Sequence, residues 1–503
     1  MLVAALLRSK ELSSIELCQL CLERIEATKE LNQYICYYPH RIEKLAKKAD
    51  DNFKKKNPEE LSPLNGIPVA VKDNFCTQEI PTSCGSRMLH GYRSPYTATV
   101  VNKLLNHGAI LMGKTNLDEF AMGCGTVDSF YGPTRNPWKY KIRNMDSKNS
   151  KSSRNLLNCS DNDCYVAKTR EHLNSDDKDW YITGGSDTGG STRNPAALCG
   201  VVGLKPTYGR LSRYGLIPLV NSMDVPGIIT RKVDDAVLLL NILSGRDQFD
   251  STTVNRLYDS ITLPKHLSVK GLHIGIPKEY HAPGLSEETV QCWQRVADMF
   301  ADGGAQVSQV SLPHTQLSIV CYHILNSCEV ASNMARYDGI EYALGFLSSH
   351  KFNASVFFSG TVLMEEENLE ALRNYDKYFI QALKIRRLIA DDFDKVFSQG
   401  IDMLLTPTLL GDAPHYDWFS QADNRTRTQE QDVFTQPVNM AGVPAITMPT
   451  ALSSNHLPIG LQLIGQMFKE NTLLLTAKWM EEQLQFPDLN MKTFLHSSEQ
   501  ENN

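Results

Sequence analysis

The stretch Asp187-Thr188-Gly189-Gly190-Ser191-Thr192-Arg193-Asn194-Pro195-Ala196-Ala197-Leu198-Cys199-Gly200 is the densest block of special residues in the chain. Adjacent glycines let the backbone turn tightly and aim successive N–H groups at one point, and Ser191 sets a hydroxyl beside it. A serine nucleophile with an oxyanion hole needs this arrangement, with donors waiting where negative charge develops. Taken alone, the loop reads equally well as a Gly/Ser turn without chemistry. A nucleophilic serine also needs a base, and no histidine stands near a compatible motif. Upstream, the apolar run Ile67-Pro68-Val69-Ala70-Val71 leads into Lys72-Asp73-Asn74, the pattern of a buried strand that delivers a lysine to its end. Burial that keeps Lys72 neutral would let it act as the base. An ion pair with Asp73 or Asp187 is the alternative.

Outward from this block the chain reads as one large mixed α/β unit. It has 503 residues, 42% of them hydrophobic, with 51 Lys+Arg against 57 Asp+Glu, a net charge of −6. That balance, with no basic tract, argues against nucleic-acid binding by this chain alone, so any RNA is expected to be held by a partner. No apolar run approaches the length of a membrane span. Ser13 and Glu16 form a capping box ahead of a helix whose apolar stripe is Leu17, Cys18, Cys21, Leu22 and Ile25. This early folding signal leaves little room for a removable transit peptide. Strand-like runs at 110–112, 273–276, 403–405, 445–448 and 459–464 alternate with helical patterns at 97–107, 286–301, 376–397 and 473–484. Mixed order without a long linker favours a single domain, 1–503. Residues 139–180 change to Lys, Asn, Ser and Asp and read as a polar surface insertion.

Two motifs are decoys. Gly108 to Thr115 matches the phosphate-loop string letter for letter, but the residues between its glycines are apolar, strand-like material, and a helix precedes them. No phosphate cradle can form there. The Cys18/Cys21 pair lacks the second pair a zinc ribbon needs, and the 12 scattered cysteines suggest reduced thiols. No metal site is expected.

The strings Gly66-Ile-Pro-Val-Ala-Val-Lys72-Asp-Asn, Asp187 to Gly200 and Val202-Gly-Leu-Lys-Pro-Thr207-Tyr-Gly-Arg resemble the amidase signature family over nearly the whole chain outside the insertion. The resemblance implies an α/β fold, a mixed sheet covered by helices on both faces. It also implies a Lys–cis-Ser–Ser mechanism: Lys72 as base, Ser191 as nucleophile, a serine in a cis peptide as relay, and the N–H groups around Thr188, Gly189 and Gly190 as oxyanion hole. Gly113 to Gly123, Tyr214 to Pro218, Val220 to Pro226 and Asp432 to Pro444 resemble the branch of the family that forms A subunits of glutamyl-tRNA(Gln) amidotransferases, in its animal mitochondrial form. For that branch the substrate is glutamine, with Asp432 holding its amino group; a buried acid paired with a local arginine is the plainer interpretation of Asp432. The partners are B and C subunits that use the ammonia, Glu-tRNA(Gln), ATP and Mg, and the address is mitochondrial. No cofactor is implied for this chain.

One departure stands out. Family members separate relay and nucleophile by a small-residue helix and a strand, whereas here Gly184-Gly185-Ser186 runs straight into Asp187, so that 184–191 reads as one shortened Gly/Ser loop. Ser186 aligns either with the relay or with the residue just before Asp187, and is the relay candidate. A missing helix and strand would also expose core surface. Near Ser355 to Glu366 the basic stretch expected to supply an arginine to the glutamine carboxylate is replaced by Val356-Phe-Phe-Ser-Gly360. Alternatives to the glutaminase are a stand-alone amidase acting on another small amide, and a catalytically impaired structural subunit or incomplete gene model.

Overall fold

The computed structural model describes residues 2–138, 182–337, 376–420 and 430–487. The polar insertion at 139–180 and the Ser355 to Glu366 region lie outside the described residues. The strands are β1 (Tyr34–Tyr37), β2 (Pro68–Lys72), β3 (Ile110–Thr115), β4 (Ile182–Asp187), β5 (Val202–Lys205), β6 (Val225–Thr230), β7 (His273–Pro277), β8 (Gln306–Val310), β9 (Met403–Pro407), β10 (Ala445–Leu452) and β11 (Pro458–Gly465). They form one sheet of 11 strands in the order β1-β3-β2-β4-β6-β5-β10-β11-β9-β7-β8. The β3-β2-β4 and β9-β7-β8 wings are parallel, and the centre from β4 through β6, β5, β10, β11 to β9 is antiparallel.

Both faces of the sheet are covered, which is why its strands are continuous apolar runs rather than alternating ones. On β11 every position is buried. Because side chains alternate along a strand, Gly460 and Gly465 point to opposite faces: Gly460 meets Ala197 of the helix Arg193–Cys199, and Gly465 meets Leu473 of the helix Glu470–Leu484. The capping box forms as expected at the helix Ser14–Ala27, with Ser13 and Glu16 exchanging side-chain and backbone bonds. The phosphate-loop string lies in β3, its Gly113-Lys114-Thr115 extended and hydrogen-bonded to β1 and β2. No described helix is long and apolar enough to cross a membrane.

One expectation is corrected. Gly184-Gly185-Ser186 is not part of a Gly/Ser loop but the body of β4, paired parallel with β2 (Val71 opposite Gly184) and antiparallel with β6 (Ser186 opposite Pro226). The β6 ladder pairs the whole stretch and the β2 ladder reaches Gly184, and this pairing outweighs the weak strand preference of glycine. β4 thus joins β2 to β6 without a break in the sheet.

A small apolar cavity, about 10 Å³, lies against Gly184, walled by Val71, Phe75, Leu104 and Leu239 among others. A Cβ on Gly184 would meet only Val71 Cγ1, at 3.7 Å, whereas one on Gly460 would sit 2.9 Å from the Ala197 backbone. Gly184→Ala is expected to stabilise the fold by about 0.5–1 kcal/mol by restricting the unfolded chain. Gly460→Ala is expected to destabilise it by about 1–3 kcal/mol through overpacking. Urea unfolding midpoints of the two variants check both signs.

Candidate active site

Lys72 ends β2 inside the protein, 2% exposed, and its Nζ lies 3.1 Å from Ser186 Oγ. Burial lowers its pKa to about 8, against the opposing pull of Cys84, Asp118, Asp187 and Asp224. The two acids that could have claimed it are engaged elsewhere. Asp73 pairs with the fully buried Lys114 at 3.0 Å, and Asp187 with Arg193 at 3.0 Å. Lys72 is thus a buried amine facing a hydroxyl, the setting in which a lysine can act as a base near neutral pH.

Ser186 Oγ receives a second donor, Asn74 Nδ2, at 2.8 Å. Asn74 stands just past the end of β2, in the same Lys72-Asp73-Asn74 string that flagged the lysine. Its loop is fixed from several sides: Ser83 N–H and Lys114 bond the Asp73 carboxylate, and Ile217 N–H bonds the Asn74 carbonyl. No described peptide bond is cis. The cis-serine implied for the relay is therefore not the form present at Ser186, which lies in the extended backbone of β4.

Beyond β4 the chain turns through Thr188-Gly189-Gly190 into the helix Arg193–Cys199, and each predicted residue of the turn is anchored. Thr188 Oγ1 donates to Asp224 Oδ1 at 2.6 Å, and Thr435 Oγ1 donates to the Gly189 carbonyl at 2.5 Å. Gly190 has φ +145°, open to glycine but strained for other residues, and a Cβ there would strike Thr435 Oγ1 and Asn194 Nδ2. Across from Gly189 stands the hydroxyl of Tyr322, 2.9 Å from where a Cβ on residue 189 would be. Burial raises the Tyr322 pKa, helped by Asp432, Asp224 and Asp187, so it stays a neutral phenol. Asp432 comes to the same place: its Oδ1 accepts from Asn194 Nδ2 at 2.6 Å.

Ser191 is partly exposed at the mouth of this arrangement. Among the described residues no hydrogen bond joins it to Ser186 or Lys72. The structure thus assembles Lys72 with Ser186, and the turn with Asp432, and leaves the two halves unlinked at Ser191. Sequence reasoning missed Asn74, Asp224, Tyr322 and Thr435; of these, Asn74, Asp224 and Thr435 lay inside the quoted strings, while Tyr322 and its helix carried no local signal. The described residues contain no group of three or more His, Cys, Asp or Glu side chains placed to hold a metal ion.

Arg193 locks the turn in place. It is fully buried and donates to both carboxylate oxygens of Asp187, to the Gln462 side chain, to the Thr435 carbonyl and to Asn439. Burial alone would raise the Asp187 pKa, but Arg193 overrides it and holds the acid at about 2. Arg193→Met, which strands the buried carboxylate, is expected to cost about 3–5 kcal/mol by urea unfolding. A carboxylate whose folded pKa lies below its unfolded value of about 3.9 stabilises the fold above that value and ceases to do so as pH falls through about 2. The stability difference between wild type and Asp187→Asn should therefore be flat above about pH 4 and shrink below it.

Comparison with known proteins agrees with this architecture. The amidase family profile matches residues 16–143 and 181–474. The chain is 51% identical to the A subunit of the mitochondrial glutamyl-tRNA(Gln) amidotransferase of Xenopus tropicalis, over 97% of this chain and 94% of that one. To the human protein of the same name it is 48% identical, over 98% and 95%. Among solved structures, the A subunit of the glutamyl-tRNA(Gln) amidotransferase of Thermotoga maritima superposes with a TM-score of 0.73 at 31% identity, covering 95% of both chains. The peptide amidase of Stenotrophomonas maltophilia does so with a TM-score of 0.73 at 27% identity, covering 96% of this chain and 97% of that one. With a profile match over most of its length and relatives of half-identical sequence, this chain belongs to the amidase family.

Proposed function

We propose that this chain is the glutamine-hydrolysing member of a mitochondrial glutamyl-tRNA(Gln) amidotransferase, working with B and C subunits. The observation that carries the reading is the buried Lys72 amine bonded at 3.1 Å to Ser186, beside the Thr188-Gly189-Gly190-Ser191 turn, in a chain half identical to the glutamyl-tRNA(Gln) amidotransferase relatives. Ser191 attacks the glutamine side-chain amide, its proton passes through Ser186 to Lys72, and the backbone N–H groups around Thr188, Gly189 and Gly190 receive the developing oxyanion. The amide nitrogen leaves as ammonia, taking the proton back from Lys72, and water then opens the γ-glutamyl ester. Asp432, oriented by Asn194, binds the substrate ammonium group. Ammonia passes to the B subunit, which uses ATP and Mg to activate Glu-tRNA(Gln), consistent with a chain of net charge −6 that carries no basic tract.

Ser191 has to come within reach of Ser186 for this sequence to run, and substrate or partner binding supplies that closure; catalytic hydrogen bonds commonly tighten only in the loaded enzyme. The unlinked Ser191 favours a second reading, in which the chain plays a structural role without turnover. A free-standing amidase differs from both in hydrolysing small amides without partners.

The test is ammonia release from glutamine by the chain assembled with its partner subunits. Ser191→Ala and Lys72→Ala are each expected to lower kcat by about 10³-fold or more, because members of such a unit fail together. The kcat–pH profile should rise through about pH 8 as Lys72 loses its proton. Equal rates before and after Ser191→Ala sink the nucleophile assignment. No turnover in the wild-type complex selects the structural role, and turnover of simple amides without partners selects the free-standing amidase.

A further inference from the structure

The Ser186 oxygen is met by two side chains, and one of them is outside the Lys–Ser–Ser scheme. We propose that Asn74 is a positioning residue of the proton relay: its amide N–H fills one lone pair of Ser186 Oγ, so that the Ser186 proton is aimed at Lys72 and the remaining lone pair is kept for Ser191. The inference rests on the reading of Ser186 as the relay and adds to it the group that sets the direction of transfer.

Donors and acceptors around Ser186 can be counted. A carboxamide nitrogen only donates, so at 2.8 Å from Asn74 Nδ2 the Ser186 hydroxyl must accept. A serine oxygen has one proton and two lone pairs. Lys72 Nζ, at 3.1 Å, is the other donor to the same oxygen while it is charged; once it gives up its proton, and with one lone pair of Ser186 held by Asn74, the amine becomes the acceptor for the Ser186 proton. A single lone pair is then left, and the sequence of transfer has one sense. The Ser191 O–H bond breaks as its oxygen attacks the amide carbon. That proton goes to Ser186 Oγ, the Ser186 proton goes to Lys72 Nζ, and the electron pair of the broken O–H bond becomes the new C–O bond.

The opposite orientation of the carboxamide would spoil this. With Oδ1 toward Ser186, the hydroxyl proton would be drawn to Asn74 and away from Lys72. In the structure Oδ1 is instead turned away, buried and without a hydrogen-bond partner among the described residues, while the residue itself is 2% exposed. A buried acceptor is rarely left unsatisfied. Here Asn74 faces Ser186 with its donor and leaves its acceptor unpaired among the described residues. The loop around it is already held through Asp73 by Ser83 and Lys114 and through the Asn74 carbonyl by Ile217, so its fold does not rely on the Asn74 amide.

The test compares Asn74→Ala and Asn74→Asp in the assembled complex, with glutamine as substrate and thermal melting of each variant recorded. Asn74→Ala is expected to lower kcat by about 10²-fold with KM nearly unchanged, the size of a general acid–base contribution. Asn74→Asp, nearly the same shape but acceptor only, is expected to be the more damaging. Its carboxylate accepts the Ser186 hydroxyl hydrogen bond, turning that proton away from Lys72, and its charge holds Lys72 protonated, so the rising limb of the kcat–pH profile moves to higher pH. A packing role makes the opposite demand: the isosteric Asp milder than Ala, and the limb unmoved. That result, or a wild-type kcat in Asn74→Ala, overturns the inference. Should Asn74→Ala fail to fold, the limb of Asn74→Asp alone decides. If Lys72→Ala and Ser186→Ala keep the wild-type rate, the relay reading fails instead, whatever the Asn74 variants do.

Discussion

The Arg193 guanidinium, fully shielded from solvent, is the one contact that the rest of the site depends on. It closes a fork on Asp187 and reaches Gln462 on β11 and the Thr435 carbonyl ahead of the helix Gln436–Ala441. Such a pair gains little net stability, since desolvation offsets most of its attraction, but it is costly to break. Its effect is geometric: it pins the end of β4 and the start of the helix Arg193–Cys199 to each other, which fixes both ends of the intervening turn. Asn439 adds a bond to the Asp187 carbonyl and Thr435 one to the Gly189 carbonyl. The turn bearing Ser191 is therefore built from residues that lie hundreds of positions apart.

On the other side of β4 the constraint is the sheet. Parallel pairing of β2 with β4 brings Lys72 beside the Gly185-Ser186 end of its neighbour. Burial then does the chemistry, since an amine taken out of water favours its neutral form. Asp73 and Asp187 do not cancel this, because Lys114 and Arg193 have already neutralised them. Lys114, Arg193 and Lys72 are buried basic side chains with three different jobs: Lys114 sets a loop, Arg193 sets a turn, and Lys72, paired with no carboxylate, faces Ser186.

The local features of the fold were legible in the sequence, and those made by long-range pairing were not. The Ser13 to Glu16 capping box, the β2 run ending at Lys72 and the strand hidden in the phosphate-loop string each follow from a few neighbouring residues. Gly184-Gly185-Ser186 read as loop because glycine and serine favour turns, while its strand form comes from pairing along its length with β6 and, at Gly184, with β2 as well. At the site, Lys72, the Thr188 to Ser191 turn and Asp432 were found as motifs; Asn194 joins the turn to Asp432, its N–H bonding the Gly190 carbonyl and its amide the Asp432 carboxylate. Tyr322, Asp224 and Asn74 escaped notice because what marks them is a contact across the fold rather than a spacing along the chain.

The short connection between Ser186 and Ser191 makes nucleophilic action by Ser191 the claim most exposed to refutation. Its most direct test is to quench the assembled complex during turnover of glutamine and examine its peptides by mass spectrometry. The account predicts a γ-glutamyl ester on the peptide carrying Ser191, absent from Ser191→Ala. Turnover without that ester, or the ester on another side chain, would contradict it.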